Sequence, residues 1–257
     1  GKNAIVVGTG NSGHDIAQDL VAKGAANVSM LQRGPTCVIS LKPGASMIYN
    51  IYNEDHSIED IDLIAAAIPY PQLKDIYRGI TRKAAEMDAD MLSGLAKAGF
   101  KTYLGRDDAG FQMMYMRGEG GYYIDVGCSE MIARGDIRVL QASDSEGFAA
   151  DGLRLRDGSV VPCDLVVLAT GFHNMQENVR LLFGEATADK LGPVWGFDEH
   201  YQMRNMWRRT AQDGLWLTGG ALLDSRIFSR FLALEIKADL MGILPGRSAL
   251  PLSDQAR

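Results

Sequence analysis

Ala4-Ile5-Val6-Val7-Gly8-Thr9-Gly10-Asn11-Ser12-Gly13-His14-Asp15-Ile16-Ala17 carries the sharpest pattern in the chain. Ala4 to Val7 is apolar without polar alternation, as in a strand buried on both faces of a parallel sheet. A G-x-G-x-x-G turn follows, and Ile16, Ala17, Leu20 and Val21 then share one helical face up to Gly24. Val28 to Leu31 reads as the next strand, ending at Gln32-Arg33-Gly34. Strand, turn, helix and strand fit within about 30 residues, the size of a βαβ unit. A glycine motif alone is weak, but here it lies between a buried strand and a helix, where its mechanism operates. Gly8 permits the tight turn, Gly10 lets a pyrophosphate approach the backbone, and Gly13 lets the helix pack on the strand. The free amides near Asn11 and Ser12 would face that pyrophosphate with the positive end of the helix dipole. Gly8, Thr9, Gly10, Asn11, Ser12 and Gly13 are therefore cofactor-binding candidates.

The end of the second strand selects the dinucleotide. NAD binders carry Asp or Glu there to hold the ribose hydroxyls. This chain has Gln32-Arg33 and no acid. A carboxylate would repel a 2′-phosphate, whereas a guanidinium binds it with two parallel hydrogen bonds. NADP(H) is the expected ligand, with Gln32 and Arg33 on its adenosine side.

The rest of the chain fits an α/β fold. Ser57-Ile58-Glu59-Asp60 has the form of a capping box, and a long helix is expected from about Gln72 to Ala98, stopping at Gly99. Residues 105–121 read as irregular loop, Tyr122 to Ile124 as a short strand, Ser129 to Ala133 as a short helix, and Ile137 to Gln141 as a strand. Leu153 to Arg156 and Val160 to Cys163 flank Asp157-Gly158, a hairpin signal. Leu165 to Leu168 is fully apolar and reads as a central parallel strand running into Ala169-Thr170-Gly171, at an edge where open α/β sheets bind ligands. Leu215 to Leu217 is a strand candidate, Phe228 to Ile236 suggests a closing helix, and the tail after Pro245 is expected to fray. The fold class is α/β: a Rossmann-like domain with a parallel sheet, a small antiparallel meander and a helical insertion over about 57–99.

Composition narrows the function. The 257 residues are 46% hydrophobic and 23% charged with a net charge of -6, which suits a packed core and argues against nucleic-acid binding. No apolar run approaches the ~18 residues of a membrane span. Cys37, Cys128 and Cys163 form neither a disulfide framework nor a C-x-x-C pair, so a reducing, cytoplasmic setting is expected. The four histidines show no metal-ligand spacing. His14 reads as a solvated or locally bonded residue of the first helical turn, and Cys128 as a buried small hydrophobe.

Four stretches together resemble class B flavin-containing monooxygenases. Val7 to Ala17 looks like that family's NADPH-binding glycine motif, and Gly121-Tyr122-Tyr123-Ile124-Asp125-Val126-Gly127-Cys128 like a segment typical of its soluble branch. Asp164 to Phe172 resembles its Ala-Thr-Gly link between nucleotide domains. Thr218-Gly219-Gly220 with Ser225 to Leu234 resembles its C-terminal FAD-side segment. The resemblance implies an enzyme in which NADPH reduces FAD and the reduced flavin oxygenates a small organic substrate. It also implies residues 1–171 as the NADPH-binding domain, 172–257 as a segment of the FAD-side domain, and Ala169, Thr170 and Gly171 as cofactor lining.

The departure from the family is large. Its FAD-binding glycine motif and its Phe-x-Gly-x-x-x-His fingerprint are both missing here. The chain opens Gly1-Lys2 without a methionine, which reads as a domain cut from something longer, although tag removal leaves the same glycine. The isolated chain is expected to lack most of the FAD site and to be catalytically incomplete, and surface left by the missing half would allow self-association. The alternative is a dinucleotide-binding module without catalysis; a flavin disulfide reductase is disfavoured by the lack of C-x-x-C. Catalytic residues and substrate are not readable. Arg33→Ala is expected to weaken NADPH binding by roughly 1–3 kcal/mol, the scale of a charged hydrogen bond, and to leave NADH binding almost unchanged. Measuring both affinities checks this, and equal losses would remove the phosphate role.

Overall fold

The computed structural model describes residues 1–245. In chain order the elements are β1 (Asn3–Val7), α1 (Asn11–Ala22), β2 (Asn27–Gln32), β3 (Cys37–Ser40), α2 (Ile58–Ala67), α3 (Tyr70–Met87), α4 (Ala89–Lys97), α5 (Gly110–Met116), β4 (Tyr122–Asp125), α6 (Cys128–Arg134) and β5 (Ile137–Gln141). Then follow β6 (Ser145–Ala149), β7 (Gly152–Leu155), β8 (Val160–Pro162), β9 (Leu165–Leu168), α7 (Gln176–Phe183), α8 (Glu185–Leu191) and α9 (Leu222–Leu240). The tail after Pro245 lies outside the described residues.

The chain divides into two compact units. The first comprises 1–53, 72–115 and 119–171; the second comprises 54–71, 116–118 and the residues from Phe172 on. The helical insertion over 57–99 is therefore not one body, because α2 sides with the second unit.

The first unit is built on a four-stranded parallel sheet in the order β5-β2-β1-β9, the Rossmann arrangement. Side chains alternate between its faces as strand geometry requires. Val6, Val28, Met30 and Ile137 pack with Ala17, Leu95, Phe100 and Ile132 on one side. Ile5, Leu31 and Leu140 pack with Leu153 and Val161 on the other, where β6-β7-β8 forms an antiparallel meander. Both faces of β1 are covered, which is why its sequence shows no polar alternation.

Several elements differ from expectation. β9 is an edge strand rather than a central one, and Leu165 and Leu168 are 43% and 72% exposed. An unbroken apolar run reports hydrophobicity, not position in the strand order. The helix expected over 72–98 begins at Tyr70, with Pro71 in the first turn where its missing N–H costs nothing. It breaks at Asp88, which is buried and accepts a hydrogen bond from the Ser40 amide at 2.8 Å. Residues 105–121 contain α5, whose Phe111, Met113 and Met114 are buried. The left-handed Asp107 and Asp108 ahead of it, and Gly110 at its first position, mask the helix in sequence. β3, unexpected, pairs in parallel with β4. Of the two readings of His14 the locally bonded one holds: its Nδ1 lies 3.0 Å from the Gly10 carbonyl oxygen, and the ring is fully buried, stacked on Tyr123 with centroids 3.7 Å apart.

The second unit packs Val179, Ala188, Leu191, Val194 and Met206 as its core. Ser57 caps α2 by accepting from the Asp60 amide at 3.1 Å, as its sequence predicts. Arg226 on α9 grips Asp62 on α2 through two hydrogen bonds of 2.7 Å. Leu215 to Leu217 forms no strand, only an isolated bridge at Trp216. The Leu215 carbonyl accepts from the Thr210 hydroxyl, and the Leu217 carbonyl from the Trp207 amide. Among the described residues no helix is long and apolar enough to cross a membrane.

Burial depresses the His14 pKa to about 4, against a partial upward pull from the Gly10 carbonyl and Asp125. The unfolded chain then binds this proton more readily, so stability is complete above the free value of about 6.5 and is lost as pH falls toward 4. Urea melts between pH 7 and 4 should show that loss, on the order of 2–3 kcal/mol, and His14→Phe should flatten it.

Candidate dinucleotide site

The strand register brings the separate candidate stretches to one edge. Val7 lies opposite Leu31 on one side and Leu168 on the other, so Gly8, Gln32 and Ala169 emerge together at the carboxyl end of the sheet. That is the edge at which open α/β sheets bind ligands. A depression of about 640 Å³ lined by Asn3, Asn27, Asp136 and Arg138 lies at the opposite, amino end, away from this chemistry.

Within the turn the three glycines are held for different reasons. Gly8 has φ +115°, and a Cβ there would stand 2.3 Å from the Ala169 carbonyl oxygen. A Cβ on Gly13 would stand 2.3 Å from the Gly8 carbonyl oxygen. Both are therefore required by the protein's own backbone. Gly10 is not: its φ is -86°, and a Cβ would meet only the Tyr122 carbonyl oxygen, at 3.7 Å. The fold would accept alanine at residue 10, where neither the backbone angle nor the neighbours require glycine.

The other turn residues divide by direction. The Thr9 hydroxyl is buried against the Thr36 hydroxyl at 2.7 Å, so Thr9 offers only backbone to a ligand. The Asn11 side chain accepts from the Ile124 amide at 2.9 Å and ties the turn to β4. Ser12 is exposed. No side chain caps the start of α1, and its first turn holds no acid. A row of amides is thus left for an anion.

Gln32 plays a different part from the one its sequence position suggests. It is fully buried. Its amide nitrogen donates to the Lys101 carbonyl at 2.9 Å, and its oxygen accepts from the Lys101 amide and from Gln141 Nε2, each at 2.9 Å. That side chain is spent on the protein and cannot hold an adenosine. Its bonds instead bring the Lys101 backbone to Gln32 at the end of β2; Arg33, the next residue, is exposed and its side chain has no partner among the described residues. Lys101 is also exposed. It was not a candidate in the sequence, because 69 residues separate it from Gln32.

Ala169 abuts Gly8, and its amide donates to the Val7 carbonyl at 2.8 Å; Thr170 and Gly171 are exposed. Cys128 is buried and its thiol is pushed up to about 12 by burial, as is that of Cys37, so neither is a nucleophile. Among the described residues no His, Cys, Asp and Glu cluster could hold a metal.

No family model matches the chain. The FAD-containing monooxygenase EthA of Mycobacterium tuberculosis (strain ATCC 25618 / H37Rv) is 24% identical over 200 residues, covering 73% of this chain and 37% of that protein. The probable FAD-binding monooxygenase AlmA of Acinetobacter sp is 23% identical over 176 residues, covering 66% and 34%. An oxidized steroid monooxygenase bound to NADP aligns with TM-score 0.43 and 19% identity over 68% of this chain and 40% of that one. Cyclohexanone monooxygenase from Rhodococcus sp. Phi1 bound to NADP+ aligns with TM-score 0.38 and 18% identity, covering 70% and 40%. The chain spans little more than a third of the length of the curated relatives it matches. In sequence the chain is a distant relative of the FAD-containing monooxygenases, as the resemblance of its motifs to the class B flavin-containing enzymes implies.

Proposed function

We propose that the chain is the NADP(H)-binding part of a flavin-dependent monooxygenase. One observation carries the reading: the turn at the sheet's carboxyl edge keeps a glycine at residue 10 that neither its backbone angle nor its neighbours require. A diphosphate approaching that backbone explains it, received by the uncapped amides of α1. Arg33 and Lys101 would hold the 2′-phosphate, Arg33 by its planar fork and Lys101 as a point charge. Ser12 would add a hydroxyl, and Ala169 a backbone wall, to the same crevice.

When bound, NADPH would supply the hydride and FAD the oxygen activation. This chain's residues bind and orient the dinucleotide. The chain has a single G-x-G-x-x-G turn, so a second adenine dinucleotide would need a cradle elsewhere in the protein. Residues from 172 on would belong to the FAD-side domain. Phe172, Leu181 and Leu182 are 76 to 102% exposed, which supports contact with a further apolar surface, whether the FAD half or a second copy.

Two substitutions separate ligand binding from folding. Gly10→Ala is expected to leave the melting temperature nearly unchanged and to lower NADPH affinity about tenfold, whereas Gly13→Ala should cost about 1–3 kcal/mol of stability through overpacking. Calorimetry and NADPH titration read both; undiminished binding by Gly10→Ala overturns the diphosphate reading. With FAD added, the purified chain is expected to bind NADPH without flavin-dependent NADPH oxidation, and turnover followed at 340 nm, on the order of that of a complete enzyme, would overturn the partial-enzyme reading.

A further inference from the structure

His14 is a buried histidine that the proposed function does not use. Its ring lies flat on Tyr123, centroids 3.7 Å apart and planes 3° from parallel, and meets Phe100 edge-on at 5.5 Å. Its Nδ1 is 3.0 Å from the Gly10 carbonyl oxygen. A carbonyl only accepts, so Nδ1 carries the proton and Nε2 is left as a bare acceptor. That Nε2 is buried and has no hydrogen-bond partner among the described residues.

Stability does not account for this choice. A phenyl ring would keep both ring contacts and remove a buried unsatisfied atom, which is always unfavourable. What imidazole supplies, and phenyl cannot, is the bond to Gly10. The Gly10 carbonyl also accepts from the His14 amide at 3.1 Å, so one residue holds it twice. In a trans peptide the C=O and the following N–H point in opposite directions. Fixing the Gly10 carbonyl inward therefore fixes the Asn11 N–H outward, beyond the start of α1. The bracing is itself anchored: the Tyr123 hydroxyl accepts from the Val126 and Cys128 amides at 3.1 and 3.3 Å. The next residue of β4, Ile124, donates to Asn11.

We infer that His14 is a positioning residue of the dinucleotide turn, one that locks the Gly10–Asn11 peptide so that its amide meets the diphosphate without reorganising. The inference rests on the NADP(H) reading, and its test keeps the two apart. The 257-residue chain and two variants, His14→Phe and His14→Asn, are titrated with NADPH and melted in parallel. Phenylalanine keeps the stack and loses the donor. Asparagine loses the stack but places an N–H one bond beyond Cγ, where Nδ1 now sits. His14→Phe is expected to melt at or above the wild-type temperature and yet bind NADPH roughly three- to tenfold more weakly, the scale of one neutral hydrogen bond. His14→Asn is expected to melt lower and to keep most of the wild-type affinity. Wild-type affinity in His14→Phe, or affinities that simply follow the melting temperatures, overturns the positioning role and leaves the dinucleotide reading intact. Failure of the wild-type chain itself to bind NADPH overturns both.

Discussion

Two backbone carbonyls with almost no space in front of them govern this molecule. The Ala169 oxygen presses on residue 8, and the Gly8 oxygen presses on residue 13, each at a distance that admits hydrogen but not a methyl group. Because of the first, β9 can run beside β1 to the very end of the strand. Because of the second, α1 can start directly behind β1 and lie close on the sheet. The outcome is a row of unpaired amides at the carboxyl edge, supplied by the main chain and independent of any long side chain's rotamer. Main-chain groups held in this way would need no side-chain ordering to receive the proposed ligand.

The sequence conveys this part of the molecule well because its constraints are local. Glycine spacing, an apolar run and a helical stripe all fall within residues 4–21, and Ser57 caps its helix three residues ahead, again within one turn. What the sequence hides is set by distant partners. Asp88 breaks a helix in order to bond the Ser40 amide, 48 residues away. β3 is a strand because β4 pairs with it from residue 122 onward. Leu165 to Leu168 has the composition of an interior strand and sits at an edge, since strand order is decided by the connections and not by the strand. The same limit applies to the site: the three glycines and Arg33 are visible as a motif, whereas Lys101 arrives only through the Gln32 amide.

The second unit obeys other rules. Among its described residues there is no extended sheet, and loops close on side chains: Asn205 Nδ2 donates to the Leu191 and Pro193 carbonyls, and Trp207 Nε1 to the Gly219 carbonyl. Trp195, Tyr201, Asn205 and Trp207 all adopt positive φ, an arrangement that holds only where surrounding contacts over-determine the backbone. Pattern reading has little purchase on such a region, and the strand expected at 215–217 failed there.

The Gln32 amide has a consequence for cofactor choice. Replacing it by a carboxylate, the substitution that would favour an unphosphorylated adenosine by charge alone, would set an anion against the Lys101 carbonyl it now donates to. Gln141 Nε2, which donates to the Gln32 oxygen, would keep its acceptor. On the proposed NADP(H) reading, attraction of a phosphate and exclusion of one would be built at different depths. The first is a surface property that can drift freely at residues 33 and 101. The second would have to be made in the interior, so under that reading a phosphate preference would be easier to lose than to reverse.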